Sequence, residues 1–158
     1  DTRYDADFYA RMLARAVERG ATAVVATAEQ LPFPDDHFDA VTFGYLLRYV
    51  ESVPECLGEL ARVVKPGGRI GMVEFGRPTG VWGPAWWLYT RALLPAAGAL
   101  IRSGWWEVGR FLGPNIDEFA AAHPPAALAE DWRGAGLADV EVRRLSLGGG
   151  LVMWARKP

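Results

Sequence analysis

Between Phe38 and Phe75 the chain reads as a strand, a helix and a second strand, and this stretch constrains the fold more than any other. Phe38 to Phe43, F-D-A-V-T-F, is an apolar run of β-branched and aromatic residues, the composition of a buried strand. Ser52 and Pro54 suit the cap and first turn of a helix, and Leu57, Leu60, Ala61 and Val64 supply its buried stripe. Lys65-Pro66-Gly67-Gly68-Arg69 ends that helix, because proline cannot continue it and the glycines can take the positive φ of a tight turn. Ile70 to Phe75 follows at once as a strand, which makes this a crossover of an α/β sheet.

The rest of the chain fits around that unit. Apolar residues at Phe8, Met12, Leu13 and Ala16 have helical spacing, Gly20 stops that helix, and Ala21 to Ala26 reads as another strand. A Pro-interrupted acidic loop, Leu31 to Asp36, then delivers the chain into Phe38. In an open α/β sheet, ligands sit outside the carboxyl ends of the strands, so the ends of this loop and strand are where a site is sought. From Gly76 to Ala122 the character changes to Pro, Gly, Trp and Leu, too apolar for a linker and suited to a helical insertion over the sheet. Within it, Trp86 to Leu100 is expected as an apolar helix with a break at Pro95, and Trp105 to Ala122 as one or two more. Pro124 opens a further helix through Arg133, and Val140 to Leu145 and Leu151 to Ala155 close the chain as a hairpin around Gly148-Gly149-Gly150.

At 158 residues, 51% of them hydrophobic, the chain suits a single domain with a full core. Its net charge of −2 offers no basic stripe for nucleic-acid phosphates. The lone Cys56, with only His37 and His123 to help, does not make a metal centre, and its thiol fits a cytoplasmic setting. No apolar run reaches the ~20 residues of a spanning helix.

The assembled motifs are Met12-Leu13-Ala14-Arg15-Ala16, Thr27-Ala28-Glu29-Gln30-Leu31-Pro32-Phe33-Pro34-Asp35, Phe38-Asp39, Leu47-Arg48, and Arg62-Val63-Val64-Lys65-Pro66-Gly67-Gly68-Arg69. Glu74-Phe75, Phe111-Leu112, Asn115-Ile116, Ala135-Gly136-Leu137 and Leu147-Gly148-Gly149-Gly150 extend them towards Pro158. Together they resemble the S-adenosylmethionine-dependent class I methyltransferases, and within these the C-methyltransferases of ubiquinone and menaquinone biosynthesis. The resemblance implies a Rossmann-like α/β sheet with helices on both faces and a closing antiparallel strand pair. It implies S-adenosyl-L-methionine as cofactor, held by Asp7 at the ribose, Thr27 and Ala28 beside the adenine, and Gly44 at the methionine end. Asp5 rivals Asp7, and either also reads as the cap of the helix that follows. Thr27 stands where the family commonly has an Asp or Asn.

The resemblance further implies that Arg48 positions a water or the phenolate of a demethylated quinol, such as a menaquinol precursor, while a ring carbon takes the methyl group. Read from the residues alone, an arginine among Tyr45, Leu46, Leu47 and Val50 must find a partner or stay wet. Tyr49 stands where the family has Asn. Tyr45, Tyr49, Trp86 and Trp105 are expected on the acceptor's side, the two tryptophan pairs forming either an apolar lid or an aromatic core under the insertion. Asp35, Asp36 and Asp39 read as turn residues. An apolar quinol-like acceptor, transient contact with a membrane surface and a homodimer are the expected partners. Set against these is a departure at the front: no strand with a Gly-x-Gly turn precedes Asp7. A fragment, or a homologue acting as a cofactor-free binding protein, accounts for that, and a sheet without this strand is expected to split. An apolar acceptor other than a quinol is the further alternative.

Overall fold

The computed structural model describes residues 13–101 and 105–158, and the side chains of all of these except 100–110. A helical stretch over 13–18 (α1) leads, through an exposed segment and the acidic loop, into β1 (Phe38–Gly44), α2 (Val53–Val63) and β2 (Val64–Phe75). The insertion follows as α3 (Trp82–Leu88), a π-helical turn (Tyr89–Leu93), α4 (Leu94–Ile101) and α5 (Trp105–Ala122). After α6 (Pro125–Gly134), β3 (Ala138–Leu145) and β4 (Gly150–Arg156) complete the chain, joined through a 3-10 turn (Ser146–Gly148).

The four strands form one mixed sheet in the order β1-β2-β4-β3, with β1 parallel to β2 and β4 antiparallel to both its neighbours. This is the α/β sheet the alternation predicts, in the Rossmann-like arrangement the resemblance implies. The crossover between β1 and β2 is α2, with Ser52 as its cap: the hydroxyl accepts from the Glu55 backbone amide at 3.4 Å. Two expectations need correction. Ala21 to Ala26 forms no strand; it is irregular and largely exposed, Val25 at 83%, because it pairs with no strand among the described residues. The four described strands form one sheet, β2 and β4 bridging its two ends, while the strand whose lack was expected to split it belongs before Asp7, outside the described residues. Nor is β1 a buried strand, since no residue in it is fully covered.

The core lies where α2 and α6 pack on one face of β2 and β4. Strand alternation places Ile70, Met72 and Glu74 of β2 and Leu151, Met153 and Ala155 of β4 on the buried side, against Leu57 and Leu60 of α2 and Leu128 and Trp132 of α6. Glu74 is the one charged member of that row. Residues 65–69, expected as a turn, instead belong to β2, which starts at Val64, and a register shift between Phe38 and Ala40 absorbs the extra length. Gly68 is needed there: a Cβ would lie 2.6 Å from Val64 Cγ1 and 2.8 Å from the carbonyls of Asp39 and Lys65.

In the insertion, the break expected at Pro95 appears one turn earlier as the π-helical residues. Proline has no N–H to bond the carbonyl four residues back and its ring crowds that carbonyl, so the helix widens to pass it. The Leu94 amide bonds the Tyr89 carbonyl instead. Trp105 to Ala122 is one helix, with Pro114 inside it. Gly113 lets it approach the π turn closely, a Cβ there falling 3.1 Å from Thr90 Cβ.

Candidate functional site

The carboxyl ends of β1 and β2 converge on Arg48. Its Nε lies 3.0 Å from Glu74 Oε1, with only 2% of the arginine side chain and none of the glutamate side chain exposed. The Nε–H is poorly aligned with that oxygen, so the contact is an ion pair rather than a directed hydrogen bond. Nη1 of Arg48 donates to Asn115 Oδ1 of α5 at 2.7 Å. The guanidinium is also walled by aromatic rings: Cζ is 5.3 Å from the Tyr49 and Phe75 centroids and 5.8 Å from that of Tyr45, within cation–π range. The partner that an arginine in apolar surroundings requires is thus supplied three times over, by charge, amide and π-face.

Burial raises the Glu74 carboxyl above the ordinary carboxylate range, and the Phe75 amide, which donates to Oε1 at 2.8 Å, and the Arg48 charge pull partly the other way. Its second oxygen, Oε2, is buried without a hydrogen-bond partner among the described residues. A charge kept dry in this way acts more strongly on its surroundings than one in water.

Tyr45 adopts φ 58°, an unusual conformation for a tyrosine, directly after Gly44. Its amide is held by the Val73 carbonyl at 3.0 Å and its ring packs on Phe75 with centroids 4.6 Å apart. Strain of this kind persists only where neighbours fix it, and it clusters at functional sites. Tyr45 and Tyr49 remain substantially exposed over the covered arginine, at 43% and 52%. Arg48 also lines a cleft of about 500 Å³, bounded by the start of α2 and by Asn115, Glu118, Phe119 and His123 of the α5 end.

Sequence reasoning placed Gly44, Tyr45, Arg48 and Tyr49 at one locus, and the structure brings them together. Thr27 is exposed and forms an isolated bridge with Gln30, while Ala28 packs against the core. That turn is tied to the segment after Arg48, the Glu51 amide donating to Glu29 Oε1 at 3.0 Å. The Glu29–Glu51 bond thus ties the turn at Thr27 to the loop that follows Arg48, and a Cβ at Gly44 would lie 3.6 Å from the Val73 carbonyl oxygen. Asp7 and Asp5 lie outside the described residues, as do the side chains of Trp105 and Trp106. Trp86 does not stand over Arg48. Its ring packs on Gly149, 3.5 Å from where a Cβ would sit, and beside Tyr89. Trp87 is exposed.

Two members of the site, Glu74 and Asn115, received no role from the sequence. For Glu74 a signal was present: it shares the face of Ile70 and Met72 by strict alternation, so a buried carboxylate needing a cation was deducible. Asn115 had none, because its contact spans 67 positions and depends on how α5 docks. Asp35 and Asp36 are turn residues, whereas Asp39, expected as one, lies in β1. Asp35 pairs with Arg62 at 2.6 Å, Asp36 with Lys157 at 2.8 Å and Asp39 with Lys65 at 2.8 Å, all away from Arg48.

The sheet and its crossover define a class. Solved methyltransferases share the fold: one from Thermotoga maritima, described as a SAM-dependent methyltransferase and possible histamine N-methyltransferase, superposes with a TM-score of 0.63 at 18% identity, over 94% of this chain and 70% of that one. Phosphoethanolamine N-methyltransferase 2 of Haemonchus contortus, in complex with S-adenosyl-L-methionine, gives 0.58 at 12% identity, over 92% of this chain and 40% of its own. The fold is thus the Rossmann-like one of class I methyltransferases. More narrowly, residues 6–157 match the ubiE/COQ5 methyltransferase family, and the chain belongs to it. The ubiquinone/menaquinone biosynthesis C-methyltransferase UbiE of Desulfotalea psychrophila is 36% identical over 157 residues, 96% of this chain and 62% of that protein. UbiE of Pseudomonas putida strain W619 is 45% identical over 107 residues, 67% of this chain and 41% of its own length. The chain therefore spans less than two thirds of these relatives.

Proposed function

We propose that this chain forms the acceptor-side part of an S-adenosyl-L-methionine-dependent C-methyltransferase acting on a demethylated quinol. The observation that carries the reading is the immobilised Arg48 cation in the wall of the 500 Å³ cleft, immediately beyond Gly44 and the strained Tyr45. When bound, the cofactor supplies an electrophilic methyl group. Thr27 and Ala28 would hold its adenine, Asp7 its ribose and Gly44 its methionine end. Arg48 holds negative charge on the acceptor's phenolic oxygen, so that electron density builds at the neighbouring ring carbon, and Glu74 and Asn115 keep the guanidinium from turning away. Tyr45 and Tyr49 offer aromatic faces to the ring.

Two further elements belong to this reading. The exposed apolar side chains of the insertion, Trp82, Trp87, Leu88 and Leu93 among them, suit brief contact with a membrane surface from which an apolar quinol is drawn. No described helix is long and apolar enough to cross a membrane. A cytoplasmic setting and a homodimer complete the picture. Tyr49 in the place of the family's Asn favours a second reading, transfer to another apolar phenol. Incubating the full-length protein with S-adenosyl-L-methionine and a 2-alkyl-1,4-naphthohydroquinone decides between them. A methyl group on the ring carbon, located by NMR, is expected; methyl on oxygen, or turnover of simple phenols alone, overturns the quinol assignment.

A further inference from the structure

Beside the Arg48 cleft lies a second cavity of about 200 Å³, reached past Phe119 and His123, which line both. Its walls are mostly hydrocarbon, from Phe75 at the end of β2, Phe119 of α5, Pro124 and Pro125 at the start of α6, and Leu151 of β4, with Arg77 and Arg144 also in the lining. The side nearest β4 is built from glycine backbone. A Cβ at Gly76 would meet the Gly148 carbonyl oxygen at 2.3 Å, and Gly148 has φ 100° with a virtual Cβ 3.1 Å from Pro78 Cα. The turn that brings this backbone into place holds two non-glycine residues in left-handed conformations, Ser146 at φ 51° and Leu147 at φ 60°. Strain at consecutive residues is retained only where the surroundings over-determine it, and here its effect is to keep the glycine wall thin and the hole open.

Resting on the function proposed above, the geometry points to this hole as the subsite for an aliphatic substituent on the acceptor ring. A ring with its oxygen towards Arg48 lies in the large cleft, and a substituent passing Phe119 and His123 enters the apolar hole. At ~30 Å³ of liquid volume per water, the hole displaces on the order of half a dozen waters, and exchanging them for hydrocarbon is favourable. It takes a short branched or linear alkyl segment, and any longer chain must leave over the Thr79 rim.

The test uses the full-length protein with two probes, 2-prenyl-1,4-naphthohydroquinone and unsubstituted 1,4-naphthohydroquinone. Ala120 of α5 lines the hole, and Ala120→Phe fills it; Thr79→Trp at the exposed rim blocks it without touching the core. Either variant, folded by circular dichroism, is expected to lower kcat/KM for the prenylated probe roughly tenfold or more and leave the bare ring within about twofold. Equal loss on both probes, or no loss on either, overturns the subsite. Calorimetric binding of the oxidised prenylated probe gives a readout without turnover. If methyl transfer fails altogether but Thr79→Trp still abolishes that binding, the subsite stands and the catalytic assignment falls; no binding to the unaltered protein overturns the subsite itself.

Discussion

Glu74 and Arg48 form a neutral pair whose members cannot be removed singly without leaving a buried charge. Glu74→Ala is expected to cost about 3 to 5 kcal/mol in urea unfolding, the range for breaking a buried pair from one side, and Glu74→Gln distinctly less because the amide still accepts a hydrogen bond. The pair also sets a pH dependence. The Glu74 carboxyl is raised in the folded state, with burial the first cause, so between its unfolded and folded values the native protein holds a proton that the unfolded chain has lost. Its contribution to stability is full below about pH 4.3 and declines as pH rises through the folded value. Unfolding midpoints measured from pH 4 to 8 should show a fall of this sign that Glu74→Gln removes. Cys56 is a further buried titrating group: burial first, and the Glu29 charge second, push its thiol up to about 11. Native protein at pH 8 should accordingly resist alkylation that proceeds fully in urea.

At the scale of elements, the acidic loop and α2 are fastened by Arg62. Its guanidinium donates to the carbonyls of Phe33 at 2.9 Å and Leu31 at 3.2 Å while pairing with Glu59 and Asp35, and Glu59 in turn accepts from the Leu31 amide at 2.7 Å. These contacts tie the Gln-Leu-Pro-Phe-Pro-Asp stretch to the Arg-Val-Val-Lys-Pro-Gly-Gly stretch through Arg62. Arg62→Ala should speed hydrogen exchange at Leu31, whose amide depends on the Glu59 that Arg62 holds, while β2 amides keep their protection. Gly68→Ala, forcing a methyl between Val64 and two carbonyls, should lower stability by roughly 1 to 3 kcal/mol.

Legibility varied by element for identifiable reasons. The unit of β1, α2 and β2 could be read because cap, stripe and stop all agreed, and the closing hairpin because its strands flank a run of glycines. Ala21 to Ala26 misled because Val24 and Val25 carry strand propensity, yet strands exist only by pairing, and no partner lies beside them in the described sheet. The turn expected at Lys65 to Arg69 became strand for the converse reason: Asp39 and Lys65 pair across it, and β1 recruits its backbone. At the site, the local cluster of Gly44 to Tyr49 was readable, whereas the contact of Arg48 with Asn115 was set by the docking of a helix far away in sequence.

The molecule's described residues form a four-stranded α/β sheet whose parallel strand ends carry a cation locked between a buried acid, an amide and three aromatic rings, with two adjoining cavities opening beside it. The insertion does not lie over Arg48 as an aromatic lid in its described part. It contributes α5, which seals the arginine with Asn115 and separates the two cavities with Phe119. Asp117 fixes that helix to the strand end and to the π turn, 3.5 Å from Arg77 and 3.2 Å from Arg91. Asp117→Ala should therefore raise the KM for the acceptor more than that for the cofactor, read from initial rates with each varied in turn.

In the function proposed above Arg48 serves the acceptor's negative charge as well as holding the fold, and one comparison separates the two roles. In a Glu74→Gln background, where no buried carboxylate is left unpaired, Arg48→Gln removes the cation alone. With folding checked by thermal melting and S-adenosylhomocysteine affinity by calorimetry, the account predicts both unchanged and kcat lowered on the order of 10² to 10³ relative to Glu74→Gln itself. A kcat within about threefold of that background would assign Arg48 to the fold and contradict the mechanism.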